Sequence, residues 1–511
     1  MHWRARAGWR TSRAGRAGGA SARRRAALTA RTTAIVLALT AGCATNPVTG
    51  KREFSLMSEA QEIQIGQEQD AQIRKEMGVS ADRELQQYVS DIGLRLARLS
   101  ERPTLPWKFT VVDAAAINAF ALPGGFIYLT RGILPFLDNE AQLAGVVGHE
   151  IGHVTARHSA QQYSRATGAQ LGLILGSILV PQTRPFAGLG QTGLGVLMLK
   201  YGRDDEVQAD GLGVKYATAA GWDPAGIPQM LATLGRIEEA SDNKGVPNWL
   251  STHPAAEDRI QKVQSAVEAA KAGDRTAEGA SSRFVSNRDA FLKRIDGIIF
   301  GDNPEQGVVR GRSFLHAGLR FALEFPQGWD VNNGPTQVVA KDPQANAFLV
   351  MQLVQQPAGR TVQEVAVGSM QGAGFEIVDG ARTTINGLDA FVGTYRGVLQ
   401  DLGPAAARAA HVVHGANVFL VAGLAPQQIF QRQEPGFSRT IASFRPLTRA
   451  EADNIRANRI DFYTARQGDT WQAIAERSGG IVKPSTLAIM NGHTVGEQPR
   501  PGERLKIVVA G

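Results

Sequence analysis

The chain has 511 residues, too many for one ordinary domain, and its single cysteine excludes a disulfide framework or a cysteine-rich metal site. The formal charge of +8 points at first to an anionic partner. Nine arginines and no acid fall within residues 1–43, however, and the rest holds 46 basic against 47 acidic residues, so no basic surface for nucleic acid is implied.

Those arginines precede a short apolar stretch, Ala34 to Leu39, and then Thr40-Ala-Gly-Cys43. A basic region, an apolar run and small residues before a cysteine form a secretory leader ending in a lipobox. Residues 1–42 are therefore expected to be a lipoprotein signal peptide and Cys43 the lipidated residue, with Ala44 after it fitting outer-membrane attachment. Residues 54–100 read as helical, because Leu85, Tyr88, Ile92, Leu96 and Leu99 recur at steps of three and four. Phe109–Val112 and Phe126–Leu129 read as strands, and Pro123 puts the beginning of the second at a sheet edge. An edge strand can pair with an extended peptide. Phe120, Ala121, Leu122, Pro123, Gly124 and Gly125 are thus candidates for a substrate-binding strand, and Gly124 and Gly125 also suit a turn.

The run GVVGHEIGHVTARH carries the chemistry. On a helix, His149 and His153 lie four apart on one face, so both imidazoles reach one ion. Glu150 can take the proton from a water at that ion. Gly145, Gly148 and Gly152 allow another backbone or a peptide to approach closely. A metzincin pattern would require a third His at 159 and Gly at 156, where Ser159 and Ala156 stand, with His158 one residue early. Residues 168–199 are apolar and Gly-rich but too broken to span a membrane, and read as a core helix or a lid. Glu206 and Asp210 follow, one turn apart on one face. Glu206 supplies a carboxylate third ligand, and Asp210 is placed to orient a ligand imidazole. Asp204 and Asp205 read as a solvated face.

His-Glu-x-x-His with Glu206-x-x-x-Asp210 is joined by Asn118-Ala-Phe-Ala-Leu-Pro-Gly-Gly-Phe-Ile-Tyr-Leu-Thr130, Gly221-Trp-Asp-Pro224, and Ser251-Thr-His-Pro254 with Arg259. Over residues 50–270 this set resembles the gluzincin metallopeptidases of the BepA, LoiP and CAAX-protease kind. The resemblance implies a periplasmic zinc endopeptidase with one Zn2+ per chain. Its clients would be misfolded or stalled envelope proteins, with the outer-membrane assembly machinery as a further partner. It also implies that His253 can approach the metal and displace its water, giving a regulatory fourth ligand, whereas spacing alone makes Thr252 or His253 a cap for a helix starting at Pro254. Arg259 is a candidate for transition-state support.

Ala269 to Ser282 reads as a linker, and residues 284–301 as an amphipathic helix. Strand-like runs then dominate at Leu319–Phe325, Ala347–Val354, Ala390–Tyr395, His411–Val413 and Asn417–Ala422, with helical stretches near 361–373 and 426–443. His411 and His414 have no carboxylate or cysteine at ligand spacing and read as structural or exposed. At the end, Tyr463-Thr-Ala-Arg-Gln-Gly-Asp-Thr-Trp471, Met490-Asn-Gly492 and Pro501-Gly-Glu-Arg-Leu-Lys-Ile507 resemble a LysM module, which implies a β-α-α-β fold and peptidoglycan as a partner.

The expected architecture is a multidomain α+β protein. It has a leader (1–42), a mainly helical zincin-type peptidase domain with a small edge-exposed sheet (43–275), a linker with an amphipathic helix (276–310), an α+β accessory domain (311–447) and a LysM-like module (458–511). Two other functions stay open beside the peptidase. One is a chaperone or assembly factor whose cleavage is mostly silent, and the other a hydrolase of peptidoglycan cross-bridges.

Overall fold

The structure is a computed structural model, and it describes residues 43–55, 57–165, 201–240, 249–253, 259–275, 284–334, 336–354, 360–399 and 402–511. The expected leader and the apolar run 168–199 lie outside the described residues.

Residues 54–100 are mainly helical, in two segments. Glu59–Met77 begins at a reciprocal cap between Ser58 and Gln61, and it stops at Gly78, whose φ of 68° a side-chain-bearing residue rarely adopts. Arg83–Ala97 then starts behind the Asp82 cap. Its Leu85, Val89, Ile92 and Leu96 are buried, while Leu99 lies past its end, exposed.

Lys108–Val112 runs parallel to Phe126–Thr130, and Ala119–Leu122 pairs antiparallel on the other side of that strand. The run after Pro123 is therefore the central strand, against the expectation of an edge. Pro123 falls in the turn, so no ladder donor is lost. Gly124 and Gly125 complete the turn at φ 83° and 100°. A Cβ on Gly124 would lie 2.6 Å from Ile63 Cα, so this turn is pressed into helix Glu59–Met77 and offers a peptide no free surface. Ala119–Leu122 is one of the two edge strands, Lys108–Val112 the other. Ala119 and Ala121 face the main core, and Phe120 and Leu122 face a cluster with Ile73 and Tyr128.

Helix Glu140–Thr155 carries the histidine motif, is capped by Asn139 and is buried throughout. Its glycines explain what packs on it. A Cβ on Gly152 would meet Ala209 O at 2.9 Å, and one on Gly148 would meet Gly213 Cα at 3.3 Å. Close approach brings helix Arg203–Ala219, with Glu206 and Asp210, against the motif. Gly226–Ala240, Trp249–Thr252 and Arg259–Arg275 close the domain. The last of these extends into the expected linker, since its Ala-rich stretch has high helix propensity.

Arg288–Ile295 is shorter than the helix expected over 284–301, because Gly297, at φ 74°, turns the chain. Ile299–Phe300 then becomes the third strand of a sheet with Asn458–Thr464 and Arg504–Val509. The C-terminal segment, running strand, helix Trp471–Arg477, helix Pro484–Met490 and strand, is thereby joined to the peptidase domain. Ile460, Ile489, Met490 and Val508 share one apolar core with Leu134 and Leu137. At the seam Lys506, fully buried, donates to Leu137 O at 2.6 Å and pairs with Asp138 at 2.9 Å, just before the cap of the motif helix.

The intervening region holds a seven-stranded antiparallel sheet (330–333, 337–341, 348–354, 417–426, 403–414, 388–399, 375–385 in spatial order) and a four-stranded one. Helices Val362–Gly372 and Gln427–Ser443 pack on the larger sheet. Among the described residues, no helix is long and apolar enough to cross a membrane.

Candidate metal centre

Adjacent turns of the motif helix bring His149 Nε2 and His153 Nε2 to 3.0 Å. From the neighbouring helix Glu206 comes within 3.4 Å of His153 Nε2 and 3.7 Å of His149 Nε2. His253, at the end of Trp249–Thr252, places Nδ1 3.2 Å from His149 Nε2 and 2.9 Å from Glu206 Oε1. One ligand atom from each of these four buried residues lies within 4.8 Å of the others. In a tetrahedron with Zn–N bonds of about 2.0–2.1 Å the ligand atoms stand roughly 3.3 Å apart, so the observed edges bracket that value. Three imidazole nitrogens and a carboxylate converging in a buried position are a donor set that fits a cation.

The surroundings orient the donors. Asp210 Oδ1 lies 2.8 Å from His149 Nδ1, leaving Nε2 to face the cluster. Arg259 reaches Asp210 at 2.6 and 2.9 Å and Glu206 Oε2 at 2.7 Å, and stacks over Trp249 at 5.1 Å. The support Arg259 gives is therefore to the donor Glu206 and to Asp210 behind His149. Glu150, fully buried, accepts from Trp249 Nε1 at 3.3 Å, and its Oε2 has no hydrogen-bond partner among the described residues.

Electrostatics separates the two motif histidines. Burial alone favours neutral His149, but the hydrogen bond and charge of Asp210 raise its pKa above the usual value. For His153 burial dominates and holds it well below. Burial also opposes ionisation of Glu206. The charge of His253 and the bonds from His153 and His253 outweigh that and hold its carboxyl far below the usual carboxylate range. Asp210 is likewise lowered, burial being overcome by Arg259 and His149.

The structure thus brings together His149, Glu150, His153, Glu206, Asp210, His253 and Arg259. Pro123, Gly124 and Gly125 are packed away in their turn. Asp205, expected in solvent, accepts from the Gly202 amide at its helix start. Sequence reasoning gave no role to three neighbours. Tyr201 stacks on His153 at 3.8 Å and bonds Ser159, Trp249 stacks on His253 at 4.5 Å, and His158 contacts His153. Only the last had a signal, the histidine one place short of a metzincin pattern.

Residues 83–267 match Peptidase family M48. A beta-barrel assembly-enhancing protease of Escherichia coli (strain K12) is 33% identical over 230 residues, 43% of this chain and 47% of that protein. Its counterpart in Yersinia pestis is 31% identical over 228 residues, covering 43% and 46%. The mitochondrial metalloendopeptidase OMA1 of Schizosaccharomyces pombe is 31% identical over 228 residues, covering 43% and 64%. The chain spans about half the length of the assembly-enhancing proteases it matches. Residues from 268 onward lie outside the family match. The buried donor cluster falls inside it, so residues 83–267 are similar to a metallopeptidase family whose metal, zinc, suits the donors present.

Proposed function

We propose that the protein is a zinc-dependent endopeptidase of the Gram-negative envelope, acting on misfolded or stalled outer-membrane proteins. The observation that carries this is the convergence of His149, His153, Glu206 and His253, with Glu150 alongside. His149, His153 and Glu206 would hold the zinc. When bound, zinc supplies Lewis acidity, lowering a water's pKa towards about 7 and polarising the scissile carbonyl. Glu150 Oε2 takes the proton of the attacking water and passes it to the leaving amine, while Trp249 fixes Oε1. Asp210 keeps His149 in the tautomer with Nε2 free, and Arg259 holds Asp210 and Glu206 in place. The peptide pairs in extended form with the edge strand Ala119–Leu122, a narrower stretch than residues 120–125.

His253 is the regulatory element of this reading. Its Nδ1 lies where a fourth ligand would, and four protein ligands make a closed site where catalysis needs an open one. The peptidase is then latent until the loop bearing His253 moves. Client identity rests on the relatives, two of which are beta-barrel assembly-enhancing proteases. Attachment through a lipidated Cys43 and peptidoglycan contact through a LysM-type C-terminal segment rest on their sequence signatures.

The test is cleavage of an unfolded β-barrel protein by the full chain. Wild type and Glu150→Gln should each hold one zinc, with Glu150→Gln losing about two to four orders of magnitude in rate. His253→Ala should cleave faster than wild type at equal zinc content, and unchanged cleavage would remove the latency reading. Envelope fractions from cells carrying Glu150→Gln should accumulate the clients, and Cys43→Ala should leave the membrane fraction. Rescue of envelope defects by Glu150→Gln would favour the chaperone reading instead.

A further inference from the structure

The two motif histidines are held by one helix in different ways. Asp210, on Arg203–Ala219, meets His149 Nδ1 directly. His153 Nδ1 instead faces His158 Nδ1 at 2.9 Å, and His158 Nε2 faces Gln208 Oε1 at 2.9 Å. Gln208 stands midway between Glu206 and Asp210 on the same helix. His158 is 1% exposed, and Asp205 Oδ1 lies 3.8 Å from its Nε2.

Proton accounting fixes the sense of this chain. For His153 to offer the Nε2 lone pair to an ion, its proton must sit on Nδ1, where it needs an acceptor. His158 Nδ1 is that acceptor, so His158 carries its own proton on Nε2. There the Gln208 oxygen accepts it. We propose that His158 is a positioning residue for the metal, relaying the hold of Gln208 onto His153 as Asp210 holds His149. The pair of ligands is thus set by one helix, through a carboxylate on one side and an imidazole relay on the other. This rests on the metal reading of the cluster and adds a residue to it.

The test reads zinc affinity of the full chain by competition with a chelator, together with the visible spectrum of the cobalt-loaded protein. His158→Phe keeps a ring and removes the acceptor. It should weaken zinc by about 10–100-fold and alter the cobalt bands, with metal-free unfolding unchanged. His158→Asn places an amide oxygen near the Nδ1 position and should return most of the affinity. Wild-type affinity in His158→Phe, or His158→Asn as weak as His158→Phe, overturns the proposal. Should His158→Phe not fold, Gln208→Leu decides. A severalfold weaker zinc site supports the relay, and an unchanged one overturns it. A wild-type chain holding no zinc would instead refute the metal reading itself.

Discussion

His149 and His411 are both fully buried imidazoles, and they end on opposite sides of the ordinary histidine pKa. His149 sits among Asp210, Glu206 and Arg259, and the carboxylates reverse the effect of burial. His411, inside the accessory sheet, touches Ser369 Oγ at 2.7 Å, its Nδ1 has no hydrogen-bond partner among the described residues, and burial takes it down to about 4. A buried histidine is thus not in itself a site. What distinguishes the metal centre is that its buried donors converge on one another and are held from behind by further side chains.

The sharpest way to break this contrast is to remove the counter-charge. Arg259→Leu leaves Glu206 and Asp210 buried without their cation. Deleting one partner of such a pair costs about 3–5 kcal/mol. The metal-free protein should lose that much stability in denaturant unfolding of the peptidase domain, and zinc should restore part of it by giving Glu206 a cation again. A loss below about 1 kcal/mol would mean that the network is not compensating burial.

Lys506 offers a third buried charge, at the seam, with its pKa lowered by burial against the pull of Asp138. Lys506→Met removes charged hydrogen bonds to Asp138 and Leu137 O, worth about 1.5–3 kcal/mol each at most. Hydrogen exchange should then quicken across 137–143, the start of the motif helix, and the double change with Asp138→Asn should cost less than the two single changes added. Exchange unchanged there would show that the C-terminal segment is only an appendage.

Much of the site was legible because its geometry is local. Four-residue spacing placed His149 beside His153, and the same spacing aligned Glu206 with Asp210. The accessory strands were legible from β-rich runs, for example Asn417–Pro426 where Asn417–Ala422 was read. The rest depends on long-range packing. Nothing in the sequence says that Gly152 will receive Ala209, that Tyr201 will stack on His153, or that Ile299–Phe300 will pair with Asn458 and Arg459. Breaks were harder to read than elements. Gly297 ended a helix expected to continue to residue 301.

The mildest prediction returns to His411. Its folded pKa of about 4 lies below the unfolded value of about 6.5. Below pH 6.5 the unfolded chain therefore binds a proton that the folded domain refuses. Stability is complete above that pH and declines as pH falls towards 4. Between pH 7 and 5.5 the loss is about 1 kcal/mol, a window above the titration of ordinary carboxylates. His316, half-buried in the same region and also lowered to about 4, adds in the same direction. Amide exchange along Gly403–His414 should report this as faster opening at pH 5.5, after correction for the intrinsic rate. His411→Gln should flatten that dependence by about half, leaving the part due to His316. A slope identical to wild type in His411→Gln would show that the imidazole is reached by water or by a partner in solution. It would then resemble the site histidines more closely than its burial suggests.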